Sequence, residues 1–146
     1  YPNRRIVAVF QPHLYSRTRD FLDNFARSFF NTDVLVLTDI YGAREEPIEG
    51  VSGEGLAHRA KQFGHRVVHY VPEVTELPGR LQKLIEPGDI VLMLGAGDIW
   101  RYSRTFVDLL EEKESEAVGG FRTETEPRHT IPNTSSHEDT GREIIL

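Results

Sequence analysis

Several features are missing from this sequence, and each absence excludes a class of protein. There is no cysteine, so disulfide bonds and thiolate metal sites are excluded. No apolar run approaches the roughly 20 residues that a membrane-spanning helix needs. Basic residues are outnumbered, with 17 Lys and Arg against 23 Asp and Glu, and the resulting net charge of −6 argues against a general nucleic-acid binder. We therefore expect neither a membrane nor a nucleic acid as partner.

Three common catalytic signatures are also missing. The sequence has no GxxxxGK[ST] phosphate loop, no GxSxG nucleophile turn and no HExxH zinc motif. The first absence means that the chain has no ATP cradle of the phosphate-loop type. His65 and His69 flank a predicted strand, where four-residue spacing does not bring two side chains to one metal ion. We predict that His58, His65 and His69 lie on the surface and that the chain has no metal site.

The residues that are present indicate one α/β domain. Four short apolar runs occur at residues 5–10, 34–37, 66–71 and 90–94, and a helical pattern follows each run. Strands that alternate with helices in this way favour βαβ units and a mostly parallel sheet covered on both faces. We therefore predict a three-layer α/β domain with a mostly parallel sheet over residues 1–113. The pattern does not give the order of the strands.

Local signals place several helix ends. Apolar residues at three- and four-residue spacing from Phe21 to Phe29 predict a helix, with Ser16 or Thr18 as its N-cap. Ser52 is the predicted start of the next helix, and Gly64 stands where a helix end favours a left-handed residue.

The last part of the chain has a different composition. Residues 114–146 hold seven acidic and three basic residues, and almost no apolar residue before the closing Ile-Ile-Leu. Such a segment cannot bury enough apolar surface to offset the entropy lost on ordering. We predict that residues 114–146 form an acidic, disordered tail.

Ligands of an open parallel sheet bind beyond the carboxyl ends of the strands, and the loop after the first strand holds the richest chemistry there. It places His13, Arg17 and Arg19 between a strand end and a helix start. Guanidinium groups together with a helix N-terminus suit a carboxylate or a phosphate. The alternative interpretation is a solvated first turn whose arginines pair with Asp20 or Asp23.

Two further loops reach the same edge. Residues 39–47 form a long loop in which Glu45 and Glu46 either bind a cation or an amine or form a solvated turn. Gly95 and Gly97 resemble half of a dinucleotide-binding fingerprint, but the third glycine is missing. These two glycines can equally serve a tight strand-to-helix turn.

Three sequence blocks carry a resemblance to a known family: AVFQPHLYSRTRDFLDNFA, VLVLTDIYGAREEPIEGVSGE and PGDIVLMLGAGDIW. In this order and spacing they resemble the C-terminal domain of the Mur ligases, in the branch that adds L-alanine to UDP-N-acetylmuramate. The resemblance covers roughly residues 4–112. It implies a Rossmann-like third domain of a bacterial cytoplasmic ligase of peptidoglycan synthesis, an activity tied to the cell wall, cell shape and cell division.

The resemblance also implies a reaction and a set of binding residues. Such ligases use ATP and Mg²⁺ to phosphorylate the carboxylate of UDP-N-acetylmuramate, and the amine of L-alanine then attacks the acyl phosphate to form an amide. His13 and Arg17 match positions that grip the substrate carboxylate end near the incoming alanine, and Tyr41 and Gly42 match a loop that faces the cleft. Leu14 stands where the family often has arginine, and Arg19 is the candidate replacement. No catalytic residue is predicted on this chain.

The same resemblance sets an expectation about activity. The central domain with its phosphate loop and Mg²⁺ ligands is not in this sequence. We therefore expect that the 146-residue chain alone binds no ATP or Mg²⁺ and has no ligase activity. Two alternatives are a stand-alone module that binds an anion without chemistry, and a degenerate remnant of the fold.

Overall fold

A computed structural model of the chain describes residues 3–119 and 143–145. Strands and helices alternate along it, as the apolar runs predicted. In chain order the elements are β1 (Ile6–Gln11), α1 (Tyr15–Asp20), α2 (Leu22–Ser28), β2 (Val34–Thr38), α3 (Gly53–Gln62), β3 (Val68–Val71), a 3-10 turn (Val74–Glu76), α4 (Leu77–Leu84), β4 (Ile90–Gly95), α5 (Ile99–Gly119) and β5 (Glu143–Ile145).

The strands form one parallel sheet in the order β3-β2-β1-β4-β5. From the central strand β1 the chain first winds outwards through β2 and β3, and then returns to place β4 on the other side of β1. Val7 of β1 faces Val34 of β2 and Val91 of β4 in register. The reversal of direction falls between β1 and β4, so the topological switch point of the sheet lies there.

Both faces of the sheet are buried because the strand residues on each face are apolar. Alternate residues of β1 point to opposite faces, so Val7 and Val9 belong to one core cluster and Ala8 to the other. The first cluster includes Leu81 of α4 and Phe106 of α5, whereas the second is formed with α2 and α3. These two clusters confirm the predicted three-layer α/β fold.

The predicted helix ends have mixed outcomes. Ser52 is the N-cap of α3 and its side chain accepts a hydrogen bond from the Gly55 N–H at 3.0 Å, as predicted. Gly64 has the expected positive φ, 96°. The prediction of Ser16 or Thr18 as an N-cap is wrong, because both residues lie inside α1, which begins at Tyr15.

Secondary structure continues beyond the predicted domain boundary in the C-terminal part of the chain. Helix α5 continues to Gly119 and therefore passes through the boundary expected after Lys113. Residues Glu143–Ile145 pair in parallel with β4 and form the outer strand of the sheet. The remainder of the predicted disordered tail, residues 120–142 and residue 146, lies outside the described residues. None of the helices in the described ranges is both long enough and apolar enough to cross a bilayer.

The expectation that all three histidines lie on the surface is wrong for His65. His65 is only 8% exposed, and its Nε2 lies 3.1 Å from the Thr32 hydroxyl, at the amino end of the sheet. Burial disfavours the imidazolium and lowers the pKa of His65 below its ordinary value, although nearby carbonyl groups and Asp33 oppose this shift.

Burial of His65 makes the stability of the domain depend on pH. With a lowered folded-state pKa, the unfolded chain takes up the proton first, so the free energy of unfolding should fall as the pH drops below about 6.5. Denaturant unfolding at pH 7.5 and 5.5 checks this, and the loss should be smaller in a His65→Gln variant. The exposed His58→Gln variant is the control. An equal loss in the His65→Gln chain and the unmodified chain would contradict the account.

Candidate functional site

The loops after β1 and β2 are joined at the carboxyl edge of the sheet. The Tyr41 N–H donates to the Pro12 carbonyl at 2.8 Å, and the Leu14 N–H donates to the Tyr41 carbonyl at 3.0 Å. His13 and Tyr41 thereby form a parallel β-bridge beyond the ends of the two strands. Of the predicted site residues, His13, Tyr41 and Gly42 are thus brought together.

The aromatic rings of this bridge also meet the loop after β4. The rings of His13 and Tyr41 are stacked, with centroids 5.8 Å apart and planes inclined by 14°. A Cβ atom on Gly97 would lie 2.6 Å from the Cγ atom of Tyr41 and 2.9 Å from the Gln11 Oε1. Gly97 is therefore required by the close approach of the Tyr41 ring. This contact accounts for that glycine without a bound dinucleotide.

A polar pair spans the switch point beneath this ring. The Gln11 Nε2 donates to the Asp98 Oδ1 at 3.1 Å, which connects the end of β1 to the start of α5. Gln11 is only 3% exposed. Among the described residues, its Oε1 and the Nδ1 of His13 are buried without a hydrogen-bond partner. Two polar atoms at the carboxyl edge of the sheet are thus buried without a partner.

The two candidate arginines have different surroundings. Arg17 is exposed, and within the described ranges its guanidinium has no hydrogen bond or ion pair. The Arg19 Nε donates to the Asp20 carboxylate at 2.8 Å, and this pair holds the pKa of Asp20 below its ordinary value. Residues two apart on a helix do not share a face, so Arg17 and Arg19 point to different sides of α1. Arg17 is the better candidate for an anion contact.

Helix α1 is held in place by contacts on both sides of its first turn. Leu14, just before the helix, has a φ of 70°, which is strained for a residue with a side chain. The Thr18 hydroxyl donates to the Leu14 carbonyl at 2.9 Å. The Glu45 carboxylate accepts from the Ser16 N–H at 2.9 Å and from the Ser16 hydroxyl, and these bonds lower the pKa of Glu45. Glu45 therefore acts as a cap for α1.

Gly42 lies at a second close contact between the two loops. A Cβ atom there would lie 2.7 Å from the Cε2 of Tyr15, the first residue of α1. The Gly42 carbonyl also accepts a hydrogen bond from the Glu45 N–H at 2.9 Å. Gly42 thus lets the second loop pack against the helix that carries Arg17.

The donor set of the site does not fit a metal ion. Across residues 3–119 and 143–145, no three His, Asp or Glu side chains lie close enough together to hold one. The described loops also lack the phosphate-loop sequence that would cradle ATP phosphates.

Sequence reasoning missed Gln11 and Asp98. Alternate residues of a strand point to the same face, and Gln11 follows the buried Val7 and Val9 in this alternation. Its position in the strand therefore indicated that it is buried. Its pairing with Asp98 depends on β4 lying beside β1, which the sequence pattern did not give.

A parallel sheet wound in both directions from β1, with polar loops gathered at its carboxyl edge, defines an open, doubly wound α/β domain. Comparison with known families is more specific: the chain belongs to the Mur ligase family, since residues 1–97 match the model of the Mur ligase, glutamate ligase domain.

Individual relatives share one name. The chain is 70% identical over 118 residues to the UDP-N-acetylmuramate–L-alanine ligase of Salinibacter ruber, covering 81% of this chain and 25% of that enzyme. It is 52% identical over 112 residues to the enzyme of the same name from Geobacter sulfurreducens, covering 77% and 24% of the two chains. The chain therefore spans about a quarter of the length of these curated relatives.

Proposed function

We propose that this chain is the C-terminal, substrate-binding domain of an ATP-dependent ligase that joins L-alanine to UDP-N-acetylmuramate in bacterial peptidoglycan synthesis. In this proposal the carboxyl edge of the sheet holds the carboxylate of the incoming amino acid. Arg17 supplies the guanidinium, and His13 supplies a ring N–H. Tyr41 and Gly42 shape the second loop. Arg19 contributes less to carboxylate binding than Arg17, because its guanidinium is already paired with Asp20.

One observation carries the proposal. The bridge between His13 and Tyr41 unites two of the blocks that resemble the alanine-adding ligases, beside an exposed Arg17 guanidinium that no described residue neutralises. A planar donor fork at the start of a helix is suited to a carboxylate. The identity to the Salinibacter ruber enzyme, 70%, supports L-alanine as the amino acid.

The rest of the reaction requires groups that this chain does not carry. ATP, Mg²⁺ and the uridine diphosphate of the other substrate would bind to the remaining three quarters of a full-length relative, in the bacterial cytoplasm. Catalysis through an acyl phosphate needs several domains to close around the reactants. We therefore propose that the 146-residue chain alone forms no amide, and a coupled assay for ADP release should give no signal above background.

Titration of the isolated chain with L-alanine, followed by NMR at His13 and Arg17, tests the binding role. Two charge-assisted hydrogen bonds at an exposed surface leave only a small net affinity after the cost of association, so we expect saturable shifts with a weak Kd, on the order of 1 mM. A flat titration of a folded chain would contradict the proposal and favour a degenerate remnant of the fold. Saturable shifts with a range of unrelated anions, and none specific to L-alanine, would favour a stand-alone anion-binding module.

A further inference from the structure

Helix α4 leaves part of the sheet uncovered beside the outer strand β3. Alternate strand residues share a face, so Val67 and His69 lie on the same side of the sheet as Val71. Val71 belongs to the first core cluster together with Leu81 of α4, and it is only 5% exposed. Val67, by contrast, is 40% exposed, and His69 is exposed as well. The amino half of β3 therefore presents a surface that no helix of the described chain covers.

A groove of about 440 Å³, here called the β3 groove, lies between this surface and α4. Its volume is within the range of pockets that hold small organic molecules. Arg5, Val34 and Val67 place it at the amino ends of three strands, whereas the candidate site lies beyond their carboxyl ends. The floor of the β3 groove is apolar and consists of Val34, Val36, Val67, Val71, Leu81 and Leu84.

The charged side chains that line the β3 groove are all basic. They are Arg5, Arg80 and Lys83, joined by the His69 imidazole, and no carboxylate of the described chain lines the groove. Arg5 is neutralised by Asp89 at 2.7 Å, but Arg80 reaches only an exposed Glu76 oxygen at 3.6 Å. Lys83 pairs with no carboxylate within residues 3–119 and 143–145. Two cations of the rim are thus weakly compensated or uncompensated.

This rim contrasts with the net charge of the chain, which is −6. Lysine and arginine often lay their stems over apolar surface while their charged ends stay in water, and this alone needs no ligand. Arg80 and Lys83, however, are three residues apart on α4 and therefore neighbours, and like charges so placed repel each other. A bound anion removes this repulsion. A cleft walled by charges of one sign also attracts the opposite charge.

We propose that the β3 groove is a binding site for a small amphipathic anion. The apolar body of the ligand lies on Val67 and the leucines of α4, and its carboxylate lies between Arg80 and Lys83. The apolar floor disfavours inorganic anions, and the basic rim disfavours cationic amphiphiles. This site goes beyond the proposed function, because it uses neither His13 nor Arg17 and lies at the opposite edge of the sheet.

An NMR titration of the full 146-residue chain with three ligands tests the proposal. Octanoate carries both an apolar chain and a carboxylate, octylammonium carries the same chain with the opposite charge, and acetate carries the carboxylate without the chain. Octanoate should shift the signals of Val67, His69 and Leu84 saturably. The other two ligands should bind at least about tenfold more weakly, because each lacks one of the two contributions.

Replacing Lys83 by glutamine should raise the Kd for octanoate about fivefold, the effect of losing one partly exposed ion pair. Lys113→Gln is the matched control, since Lys113 is an exposed lysine of α5 that does not line the groove. It makes the same change in net charge and should leave the Kd within about twofold. Because both lysines are exposed, both variants should keep the thermal stability of the unmodified chain.

Four results would overturn the inference. Equal binding of octanoate and octylammonium, or of octanoate and acetate, would mean that the groove does not recognise an amphipathic anion. Equal affinities of the Lys83→Gln and Lys113→Gln variants for octanoate would mean that Lys83 only shields the apolar floor. Octanoate shifts at His13 and Arg17 in place of the groove would assign the anion to the candidate site and leave the proposed function standing. Groove signals that move with chain concentration alone would assign the groove to contact between two copies of the chain.

Discussion

Replacing Arg17 by glutamine should lower the kcat/KM for L-alanine by about 100-fold in an enzyme that contains this domain. The suitable enzyme is a graft in which residues 3–113 replace the matching stretch of the Salinibacter ruber ligase, to which the chain is 70% identical. Loss of a bidentate carboxylate contact removes two charge-assisted hydrogen bonds, together worth about 3 kcal/mol. Steady-state kinetics with varied L-alanine measures the change.

The matched control for this variant is Arg66→Gln. Arg66 is also exposed, but it precedes β3 at the amino end of the sheet, opposite the candidate site. Its replacement should leave kcat/KM for L-alanine within about twofold, as is usual for a surface position away from the site. Equal losses in the two variants, or no loss in Arg17→Gln, would show that the Arg17 guanidinium does not hold the amino acid.

Replacing Gly53 by alanine should destabilise the domain by about 3 kcal/mol. Gly53 begins α3, and a Cβ atom there would clash with the Thr38 carbonyl oxygen and lie 2.9 Å from the Asp39 Cα. Both neighbours are backbone atoms at the end of β2, so the helix itself must shift to relieve the clash. The shift would also weaken the hydrogen bond from the Gly53 N–H to the Asp39 carboxylate, 3.1 Å long. Urea unfolding followed by circular dichroism measures the loss.

Gly79→Ala makes the same chemical change where there is space. Gly79 lies in α4, and a Cβ atom would meet nothing within 4 Å. Because alanine favours the helix and reduces the freedom of the unfolded chain, this variant should gain up to about 1 kcal/mol. The free energy of unfolding should therefore fall in the Gly53→Ala variant and rise in the Gly79→Ala variant. A Gly53→Ala chain as stable as the unmodified one would mean that β2 and α3 are not packed as described.

The strands and layers could be predicted because their signal is local. The apolar runs at the four predicted strands are continuous, and both-sided burial of a parallel sheet requires such runs. Ser52 was recognisable as a cap because a serine just before a helical pattern can accept a hydrogen bond from a backbone N–H of the first turn. Helix α1 was not predicted because Leu14, just before it, adopts a positive φ that no propensity favours and donates its N–H to Tyr41 in the loop after β2.

The sequence indicated only those residues of the candidate site that have a local signal. His13 and Arg17 stand out as polar residues just after a buried strand, and the structure places His13 against the second predicted loop. Gln11 was not selected, since its burial against Asp98 follows from the strand order rather than from any local pattern. The pairing of Arg19 with its neighbour Asp20 was one of two readings that charge spacing left open.

Amide formation by the unmodified graft is the most direct test of the central claim, that this domain binds the incoming L-alanine of a ligase. Product should form only when UDP-N-acetylmuramate, ATP, Mg²⁺ and L-alanine are all present, with kcat/KM for L-alanine within about tenfold of the parent enzyme, since most surface differences between close relatives are near neutral. A graft that folds and binds ATP and UDP-N-acetylmuramate, yet makes no L-alanine-dependent product, would contradict the claim.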